Sequence, residues 1–265
     1  LQPGRGAGML TRILEEKRQE VRVLQRTYAI QESGDCEIRP LAAALTATKP
    51  ELAVIAEIKR ASPSKGVLSH NWDPLYLARI YSTNGASAIS VLTDRRFFQG
   101  DPSYLQLIKP KVELPLLRKD FIIDGIQVYQ SRELGADAVL LIVAILDYPL
   151  LLHLVELTIA LGMQPLVEVH NRRELKAALD TPTPIIGVNN RNLQDFSVSL
   201  DTSLELAGMI PAHITKISES GIKDRTDIEL LREASYDAVL VGEALVTASN
   251  ISEKLSELTG RVDTR

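Results

Sequence analysis

The 265-residue sequence predicts an α/β protein, a (β/α)8 TIM barrel with an extra N-terminal helical segment. Two observations carry this prediction. Eight short and nearly continuous apolar runs are typical of strands that are buried on both faces, as in a parallel sheet. Amphipathic segments alternate with these runs, and successive strand ends are about 20–35 residues apart, the size of a βα unit.

The eight predicted strands follow one another from residue 52 onward. Most are rich in Val, Ile and Leu and lack the polar alternation of strands that have one face in water. Their sequences are LAVIAEI (52–58), ASAISVL (86–92), LPLLR (114–118), DAVLLIV (137–143), MQPLVEV (163–169), PIIGVN (184–189), ITKIS (214–218) and DAVLVG (237–242).

Amphipathic helices are predicted between the strands, and several begin near Asp or Asn and end near Gly. The clearest are DPLYLARIYSTNG (73–85), GIQVYQSRELG (125–135), YPLLLHLVELTIALG (148–162), DRTDIELLREA (224–234) and ISEKLSELTG (251–260). Three helix-to-strand joints, NGASAISVL, LGADAVLLI and ASYDAVLVG, are alike and indicate a weak internal repeat. At such a joint Gly ends a helix and a small residue lets the next strand begin close by.

Two helices are predicted ahead of the strands. The apolar residues of the first fall at helical spacings, and they are Leu10, Ile13, Leu14, Val21 and Leu24. We expect Thr11 to cap this helix and its charged residues to face water. The run LAAAL (41–45) predicts the second helix, which is short.

We expect one domain over residues 1–265, with the helical extension at about 9–48 and the barrel at about 52–260. An open doubly wound sheet is the alternative, but it usually has fewer strands and a GxGxxG loop after the first one. This chain has EIKRASPSKG there. The opening LQPGRGAG lacks the apolar core of a signal peptide, and we interpret it as a flexible arm, a trimmed transit region or an expression remnant.

The composition argues against several classes of function. A net charge of −4 does not indicate a nucleic-acid surface or a polybasic membrane anchor. No apolar run approaches the roughly 18–20 residues of a transmembrane helix. The single cysteine, Cys36, leaves no partner for an internal disulfide. We therefore expect a monomer or weak homo-oligomer in the cytoplasm, or in the plastid stroma if a transit region was trimmed.

The histidines do not indicate a metal site. They share no spacing, and they are His70, His153, His170 and His213. Protein metal sites usually show recurring ligand spacings, so we expect neither a metal ion nor a catalytic histidine.

Polar residues lie at the carboxyl ends of five of the predicted strands, which is where barrel enzymes carry their catalytic groups. These residues are Glu57, Lys59, Lys119, Glu168, Asn189 and Glu219. Glu57 and Lys59 are two apart on one strand and so point to the same face. A single Lys or Glu at a strand end is more often a solvated loop residue. Three acids and two lysines at one mouth would instead keep both lysines protonated, which suits general-acid work or anion binding better than Schiff-base formation.

Two glycines indicate a phosphate site. Gly221 follows the seventh strand and Gly242 ends the eighth. Barrels often hold a phosphate at this place on backbone N–H groups and a short helix N-terminus. Ser62, Ser64 and Lys65 in the first loop would reach the same anion. For either glycine alone, a tight turn is the alternative.

The chain as a whole resembles the indole-3-glycerol phosphate synthase family. Eight motifs carry the resemblance, in the family's order from about residue 52 to residue 245: AEIKRASPSKG, SVLTDRRFFQG, LLRKDFI, GADAVLLI, PLVEVH, IGVNNRNL, SESGI and VGEAL. The resemblance implies an enzyme without cofactor or metal that acts on 1-(2-carboxyphenylamino)-1-deoxyribulose 5-phosphate. It would close the ring, with loss of CO2 and of water, to give indole-3-glycerol phosphate.

At the matched positions the resemblance also implies catalytic roles. Lys119 would be the general acid at the ketone during ring closure. Lys59 would bind the substrate carboxylate, and either lysine would be the acid in dehydration. Glu168 would be the base or would stabilise the developing positive charge, while Glu57 and Glu219 would orient the lysines.

The remaining matched positions would bind substrate. Asn189 and Ser220 would hold hydroxyls or the anilino part. The residues expected at the phosphate and the substrate's polar groups are Ser62, Arg191, Gly221, Gly242, Glu243 and Ala244. The residues expected to wall the aromatic ring are Phe98, Phe121 and Leu140. Ala244 departs from the Ser of many family members, so a hydroxyl contact to phosphate would be lost while backbone N–H donors remain.

Other phosphate-binding barrels are the alternatives. A phosphoribosyl isomerase also uses an acid–base pair, but it would not explain two lysines on strands one and three together with EIKRASPS. A lysine aldolase predicts a covalent adduct that borohydride traps. A catalytically inactive ligand-binding barrel would not need Lys59, Lys119 and Glu168 together.

Overall fold

The structure is a computed structural model that describes residues 8–30, 36–49, 51–63, 65–69, 72–193 and 195–261. Ser64, which the sequence placed near the phosphate, lies outside the described residues, and so does His70. Residues 1–7 of the opening segment also lie outside them.

Eight parallel strands close into a barrel, which confirms the predicted fold. Each strand pairs with the next one in the chain, and the last pairs with the first. The strands are β1 Ala53–Ile58, β2 Ala88–Leu92, β3 Leu116–Lys119, β4 Ala138–Ile142, β5 Gln164–Val169, β6 Ile185–Asn189, β7 Thr215–Glu219 and β8 Ala238–Val241. A small hairpin, Ala61–Ser62 paired with Gly66–Val67, lies in the loop after β1.

Helices surround the barrel. They are α1 Met9–Thr27, α2 Leu41–Thr46, α3 Pro74–Thr83, α4 Arg95–Phe98, α5 Ser103–Ile108, α6 Gly125–Glu133, α7 Tyr148–Ala160, α8 Arg172–Leu179, α9 Asp201–Ala207, α10 Arg225–Glu233, α11 Glu243–Val246 and α12 Ile251–Thr259. The named helical segments are all present. The five helices that the sequence did not single out, α4, α5, α8, α9 and α11, have only four to eight residues, too few to show a clear helical period. None of the helices in the described ranges is long and apolar enough to cross a bilayer.

Helix capping follows the sequence in the barrel but not in α1. Asp or Asn side chains accept backbone N–H groups at the starts of the five predicted barrel helices, and they are Asp73, Asp124, Asp147, Asp224 and Asn250. The expectation that Thr11 caps α1 is wrong, because α1 begins at Met9 with Gly8 at the cap position and Thr11 lies inside the helix.

The internal repeat corresponds to a repeated backbone turn. Gly85, Gly135 and Ser235 occupy matching positions before β2, β4 and β8, with φ of +100°, +86° and +62°. Glycine adopts this left-handed region without steric cost, whereas serine does so less readily. In the later two joints an Asp directly precedes the strand and makes the same kind of contact. Asp137 and Asp237 accept the N–H groups of Leu116 and Lys216, at 2.8 Å in both cases.

Alternation along each strand separates the core into two layers. Ala53 and Ile55 of β1 lie in the barrel interior with Leu117 of β3, whereas Val54 and Ala56 pack in the layer between strands and helices. Because side chains alternate, the polar residue two positions beyond an interior apolar residue also points inward at the carboxyl end. Four strand-end residues follow this rule, and they are Glu57, Lys119, Glu168 and Glu219.

The N-terminal extension covers both ends of the barrel. Leu41 and Leu45 of α2 are fully buried and join the interior cluster where the strands begin. The N–H of Ala42 donates to the side chain of Gln164 at 2.9 Å, at the start of β5. At the opposite end, Leu10 and Ile13 of α1 line the mouth. The extension therefore closes the bottom of the barrel and forms part of the rim of its mouth.

Lys17 corrects the expectation that the charges of α1 face water. The residue is 1% exposed, and its ammonium lies 2.9 Å from Asp120 and 3.1 Å from Asp94. Glu20, one turn along α1, is 2.6 Å away. Burial alone would lower the Lys17 pKa, but these three acids outweigh it and raise the pKa above its usual range. Lys17 thus fastens α1 to the loops after β2 and β3.

Replacing Lys17 should destabilise the fold far more than replacing an exposed lysine in a similar pair. Lys17→Met leaves Asp94 and Asp120 buried without this cation, and breaking a buried pair in this way costs about 3–5 kcal/mol. The matched control is Lys49→Met, since Lys49 pairs with Asp237 at 2.9 Å but has a side chain that is 62% exposed. We expect that variant to lose less than about 1 kcal/mol. Urea unfolding measures both, and equal losses would contradict the assignment.

Candidate active site

A cavity of about 710 Å³ lies at the carboxyl ends of the strands. The structure brings to its lining all the residues that the resemblance implied for catalysis or substrate binding, together with Lys65 of the first loop, whereas Ser64 lies outside the described residues. The implied residues are Glu57, Lys59, Ser62, Phe98, Lys119, Phe121, Leu140, Glu168, Asn189, Arg191, Glu219, Ser220, Gly221, Gly242, Glu243 and Ala244. These residues therefore line one cavity at the mouth of the barrel, and their contacts indicate what each side chain can do there.

The residues at the end of β1 form an ion pair, as their spacing predicts. Nζ of Lys59 lies 2.7 Å from Oε1 of Glu57, and both side chains are largely buried, with exposures of 15% and 6%. The carbonyl of Glu57 also accepts from the Tyr81 hydroxyl at 3.3 Å, which ties the strand end to α3. The mouth therefore holds a lysine whose position is fixed by its neighbouring carboxylate.

Lys119 at the end of β3 lies between two carboxylates. Its Nζ is 2.9 Å from Oε2 of Glu168 and 3.0 Å from Oε2 of Glu219. Burial alone would lower the Lys119 pKa, but the charges of Glu168, Glu219 and Glu57 outweigh it and raise the pKa well above its usual range. Lys119 is therefore a protonated ammonium at neutral pH, able to donate a proton but not to act as an amine nucleophile.

The two carboxylates that share Lys119 have opposite pKa shifts. Burial opposes ionisation of Glu168, yet Lys119 and His170 outweigh it and hold the Glu168 pKa well below its usual range. For Glu219, burial and the nearby charges of Glu168 and Glu57 raise the pKa despite Lys119. Two acids whose environments separate their pKa values in this way can take different roles in one reaction.

Two glycines make room for the acids. A Cβ added at Gly242 would overlap the carboxylate of Glu57, and one added at Gly187 would overlap Oε1 of Glu219 and approach Leu166 to 2.8 Å. Gly242 was expected to serve the phosphate. Its backbone φ of −120° is open to any residue, so the structure shows a second reason for glycine there, which is space for Glu57.

One wall of the mouth is apolar. The rings of Phe98 and Phe121 lie with centroids 6.2 Å apart and planes tilted by 38°. Leu140 of β4 lines the same cavity, together with Leu10 and Ile13 from α1. Such a surface suits an aromatic ring, which packs by offset or tilted contacts. The contribution of α1 was missed because a helical pattern does not show what its apolar face touches.

The opposite side of the mouth is rich in loops and backbone groups. Ser220 and Gly221 follow β7 with consecutive left-handed φ values of +66° and +88°. Non-glycine residues in this conformation are uncommon and concentrate at functional sites. In the loop after β1, Lys65 donates its N–H to Ser62 at 3.3 Å and pairs through Nζ with Glu243 at 2.5 Å, which joins the first and last strand ends.

Asn190 supports this turn and was not recognised from the sequence. Its Nδ2 donates to the carbonyls of Glu219 and Ser220, each at 3.0 Å, and its Oδ1 accepts the N–H of Ser203 at 3.0 Å. A buried amide can satisfy several backbone groups at once, and the second Asn of the VNN motif is the signal that could have indicated such a residue.

His170 contacts a residue of the site but is not among those that line the cavity, so the expectation of no catalytic histidine stays a prediction. Its Nε2 lies 3.3 Å from Oε1 of Glu168, and its Nδ1 lies 2.9 Å from Oε2 of Glu174. The spacing of Glu168 and His170 repeats that of Glu57 and Lys59, and this two-residue spacing is the sequence signal for the contact. Among the described residues, no group of three or more His, Cys, Asp or Glu side chains could hold a metal ion.

Comparisons with known proteins agree on one family. Residues 10–258 match the family model described as indole-3-glycerol phosphate synthase. A protein of that name from Roseiflexus sp. (strain RS-1) is 51% identical over 265 residues, which covers 95% of this chain and 98% of the relative. Another of that name, from Pelodictyon phaeoclathratiforme, is 50% identical over 247 residues, covering 91% of this chain and 96% of the relative.

Solved structures with low sequence identity share the fold. A 3-hexulose-6-phosphate synthase from Salmonella typhimurium aligns with a TM-score of 0.62 at 16% identity, covering 79% of this chain and 97% of that one. A chain of the tryptophan synthase a2b2 complex from Pyrococcus furiosus aligns with a TM-score of 0.59 at 14% identity, covering 78% and 98%. At such identities the likeness supports the barrel architecture alone.

Filling the space beside Glu219 should destabilise the chain. Gly187→Ala places a methyl group against Glu219 and Leu166 in a packed interior, and overpacking of this kind costs about 1–3 kcal/mol. The matched control is Gly208→Ala, because a Cβ at Gly208 meets no atom within 4 Å in the described part of the chain and its φ is −74°. Urea unfolding should show a loss for the first variant and none for the second. A Gly187→Ala variant as stable as the wild type would show that this space is not needed.

Proposed function

The chain belongs to the indole-3-glycerol phosphate synthase family, and we propose that the mouth of its barrel carries out that reaction by general acid–base catalysis. The substrate is 1-(2-carboxyphenylamino)-1-deoxyribulose 5-phosphate. The single observation that carries the proposal is the protonated Lys119, held 2.9 Å from Glu168 and 3.0 Å from Glu219. Because this reaction releases CO2 by breaking a carbon–carbon bond, we propose that the chain is a carbon–carbon lyase of the carboxy-lyase class.

Ring closure needs a proton donor at the ketone. The ring carbon that bears the carboxylate attacks the ketone carbon, and Lys119 gives a proton to the ketone oxygen as the new carbon–carbon bond forms. The positive charge that develops on the anilino system lies near Glu168, which is ionised and 2% exposed. CO2 then leaves, and the electrons of its bond restore the aromatic ring. A positioned acid of this kind contributes about 10²–10⁴-fold.

Dehydration needs an acid at the new hydroxyl and a base at the neighbouring methylene. Lys59 lies at the same mouth, paired with Glu57, and we assign it the substrate carboxylate in the first step. Both lysines remain candidates for the acid of the second step. Glu219 has the raised pKa of a group that exchanges protons near neutrality, so we assign it the proton that leaves the methylene, and it also orients Lys119.

The substrate has two anionic ends and an aromatic ring, and the cavity offers a matching surface for each. We propose that Phe98, Phe121 and Leu140 hold the ring. Asn189 and Ser220 are placed to bind hydroxyls or the anilino nitrogen. The amide oxygen of Asn189 accepts the N–H of Arg191 at 3.0 Å, so its NH2 group is the part we assign to substrate.

For the phosphate we propose the backbone-rich side of the mouth. The groups assigned to it are Ser62, Arg191, Gly221, Gly242 and the N–H groups of Glu243 and Ala244. The guanidinium of Arg191 donates to the carbonyl of Phe196 at 3.3 Å, which holds the loop after β6 beside the cavity. The pair between Lys65 and Glu243 places a cation near the same groups. Location in the cytoplasm and a monomeric or weakly oligomeric state stay predictions.

The direct test of the function is the appearance of indole fluorescence when the purified chain meets the carboxyphenylamino substrate. The lysine aldolase alternative predicts a covalent adduct after borohydride treatment, and the proposed function predicts none. If the wild-type chain gives no indole product, the assigned reaction is wrong.

Removing Lys119 should abolish most of the turnover. Lys119→Ala takes away the positioned acid, and we expect kcat to fall by about 10²-fold or more. The matched control is Lys111→Ala, since Lys111 is an exposed lysine at the end of the short 3-10 turn after α5. Steady-state kinetics measures kcat for both variants. Near-wild-type turnover in Lys119→Ala would show that Lys119 is not the general acid.

Adding a side chain at Gly221 should weaken substrate binding. Its φ of +88° strains any other residue, and a new Cβ would lie 2.7 Å from Val198. We expect Gly221→Ala to raise KM about tenfold or more with a smaller change in kcat, because the phosphate is not a reacting group. Gly208→Ala serves again as the control. An unchanged KM in Gly221→Ala would place the phosphate elsewhere.

A further inference from the structure

We propose that His170, fixed by Glu174, is a positioning residue that keeps Glu168 ionised and aimed into the mouth throughout turnover. The inference rests on the proposed function, because it assigns Glu168 to that reaction. It also chooses between two roles for Glu168, and it favours stabilisation of positive charge over removal of a proton.

The strand geometry places His170 beside Glu168. The two residues are separated by one position at the end of β5, so their side chains point to the same face, while Val169 between them packs in the outer layer. Nε2 of His170 is buried and lies 3.3 Å from Oε1 of Glu168, an ion-pair distance that lacks hydrogen-bond geometry. The other carboxylate oxygen of Glu168 is held by Lys119 at 2.9 Å. Each oxygen of Glu168 therefore faces one cationic group.

Glu174 fixes the histidine in place. Its Oε2 accepts both the backbone N–H of His170 at 2.8 Å and the ring Nδ1–H at 2.9 Å. Its Oε1 accepts from Nδ2 of Asn171 at 2.7 Å, and its own N–H donates to Oδ1 of Asn171 at 3.0 Å. This reciprocal arrangement is a helix N-terminal capping box, shifted by one residue so that it reaches back to His170. Turning the ring away would break its hydrogen bond to Glu174, whose carboxylate is itself held by the cap of α8.

The charges around the ring favour a doubly protonated imidazole. A neutral imidazole has one nitrogen that can only accept, and here that nitrogen would face a carboxylate that also only accepts. The charged groups facing the ring are Glu168 from β5 and Glu174 from α8, and the turn Val143–Ile145 packed against both elements carries apolar side chains only. Burial alone would lower the His170 pKa, but these two carboxylates outweigh it and raise the pKa to about 10.

The permanent cation matters at the moment when Lys119 gives up its proton. Without a second cation, Glu168 would lose its charge partner and would compete with the substrate oxygen for the proton of the ammonium. With the imidazolium in place, the proton affinity of Glu168 stays low. The proton then goes to the ketone, and the carboxylate stays free to face the positive charge on the anilino system.

The protonation state can be read without any activity assay. In the full-length chain with ¹⁵N-labelled histidine, ring nitrogen shifts assign the tautomer, and His170→Gln identifies the signals. At pH 8 we expect both nitrogens of His170 to carry protons, and the ring signals of the exposed His213 serve as the reference. A neutral His170 ring at pH 8 would overturn the proposal.

Kinetics then separate charge from shape. We expect His170→Gln to lower kcat about tenfold, the equivalent of about one pKa unit of lost charge stabilisation, with KM within about twofold. His170→Lys restores a cation and should recover more than half of the lost kcat. In a Glu168→Gln background, His170→Gln should change kcat less than about twofold, because its target is gone. His213→Gln is the matched control and should behave as wild type.

Three other results would separate a failure of this proposal from a failure of the proposed function. If His170→Lys is as impaired as His170→Gln, the residue serves packing and the proposal is wrong. If His170→Gln does not fold, Glu174→Gln replaces it and should lower kcat in the same direction, and an unchanged kcat there overturns the proposal. If the wild-type chain makes no indole product, the proposed function has failed, while the nitrogen shifts still decide whether His170 is a permanent cation.

Discussion

Lys119 lies on the buried floor of the barrel mouth between Glu168 and Glu219, and its charge determines how the surrounding groups are arranged. A largely buried ammonium is stabilised when carboxylates replace part of its solvation, and two neighbouring carboxylates stay ionised more easily when a cation lies between them. Removing Lys119 would leave both carboxylates without the cation that lies between them. Glu57 is paired with Lys59. Lys119 holds one oxygen of Glu168, and the other oxygen faces His170, which we propose is a second cation.

The closed parallel barrel makes this concentration of charge possible. Side chains alternate along every strand, so apolar residues fill the interior while the next inward position reaches the mouth. The strands lie so close that space must be created for each buried acid. Gly242 provides it for Glu57, and Gly187 provides it for Glu219. The N-terminal extension completes the enclosure, with α2 beneath the barrel and α1 at its rim, where Lys17 fastens it to the loops after β2 and β3.

The fold and the strand-end residues could be predicted from the sequence because both depend on local patterns. Continuous apolar runs identify buried parallel strands, and a two-residue spacing places Glu57 and Lys59 on one face. Contacts between distant segments leave no such pattern. Lys17 looks like any helix-surface lysine until α1 docks on the barrel, and the reason for Gly242 appears only when β8 lies beside β1. His170 was missed because a histidine between two carboxylates has no ligand spacing of its own.

The positive charge of Lys119 can be measured directly by titration. In the chain with ¹⁵N-labelled lysine, the Nζ signal that disappears in Lys119→Arg can be followed from neutral pH to the onset of alkaline unfolding. The structure predicts that this signal stays that of an ammonium beyond the ordinary lysine pKa of about 10.5. A Lys119 that loses its proton before the exposed lysines do would contradict the account.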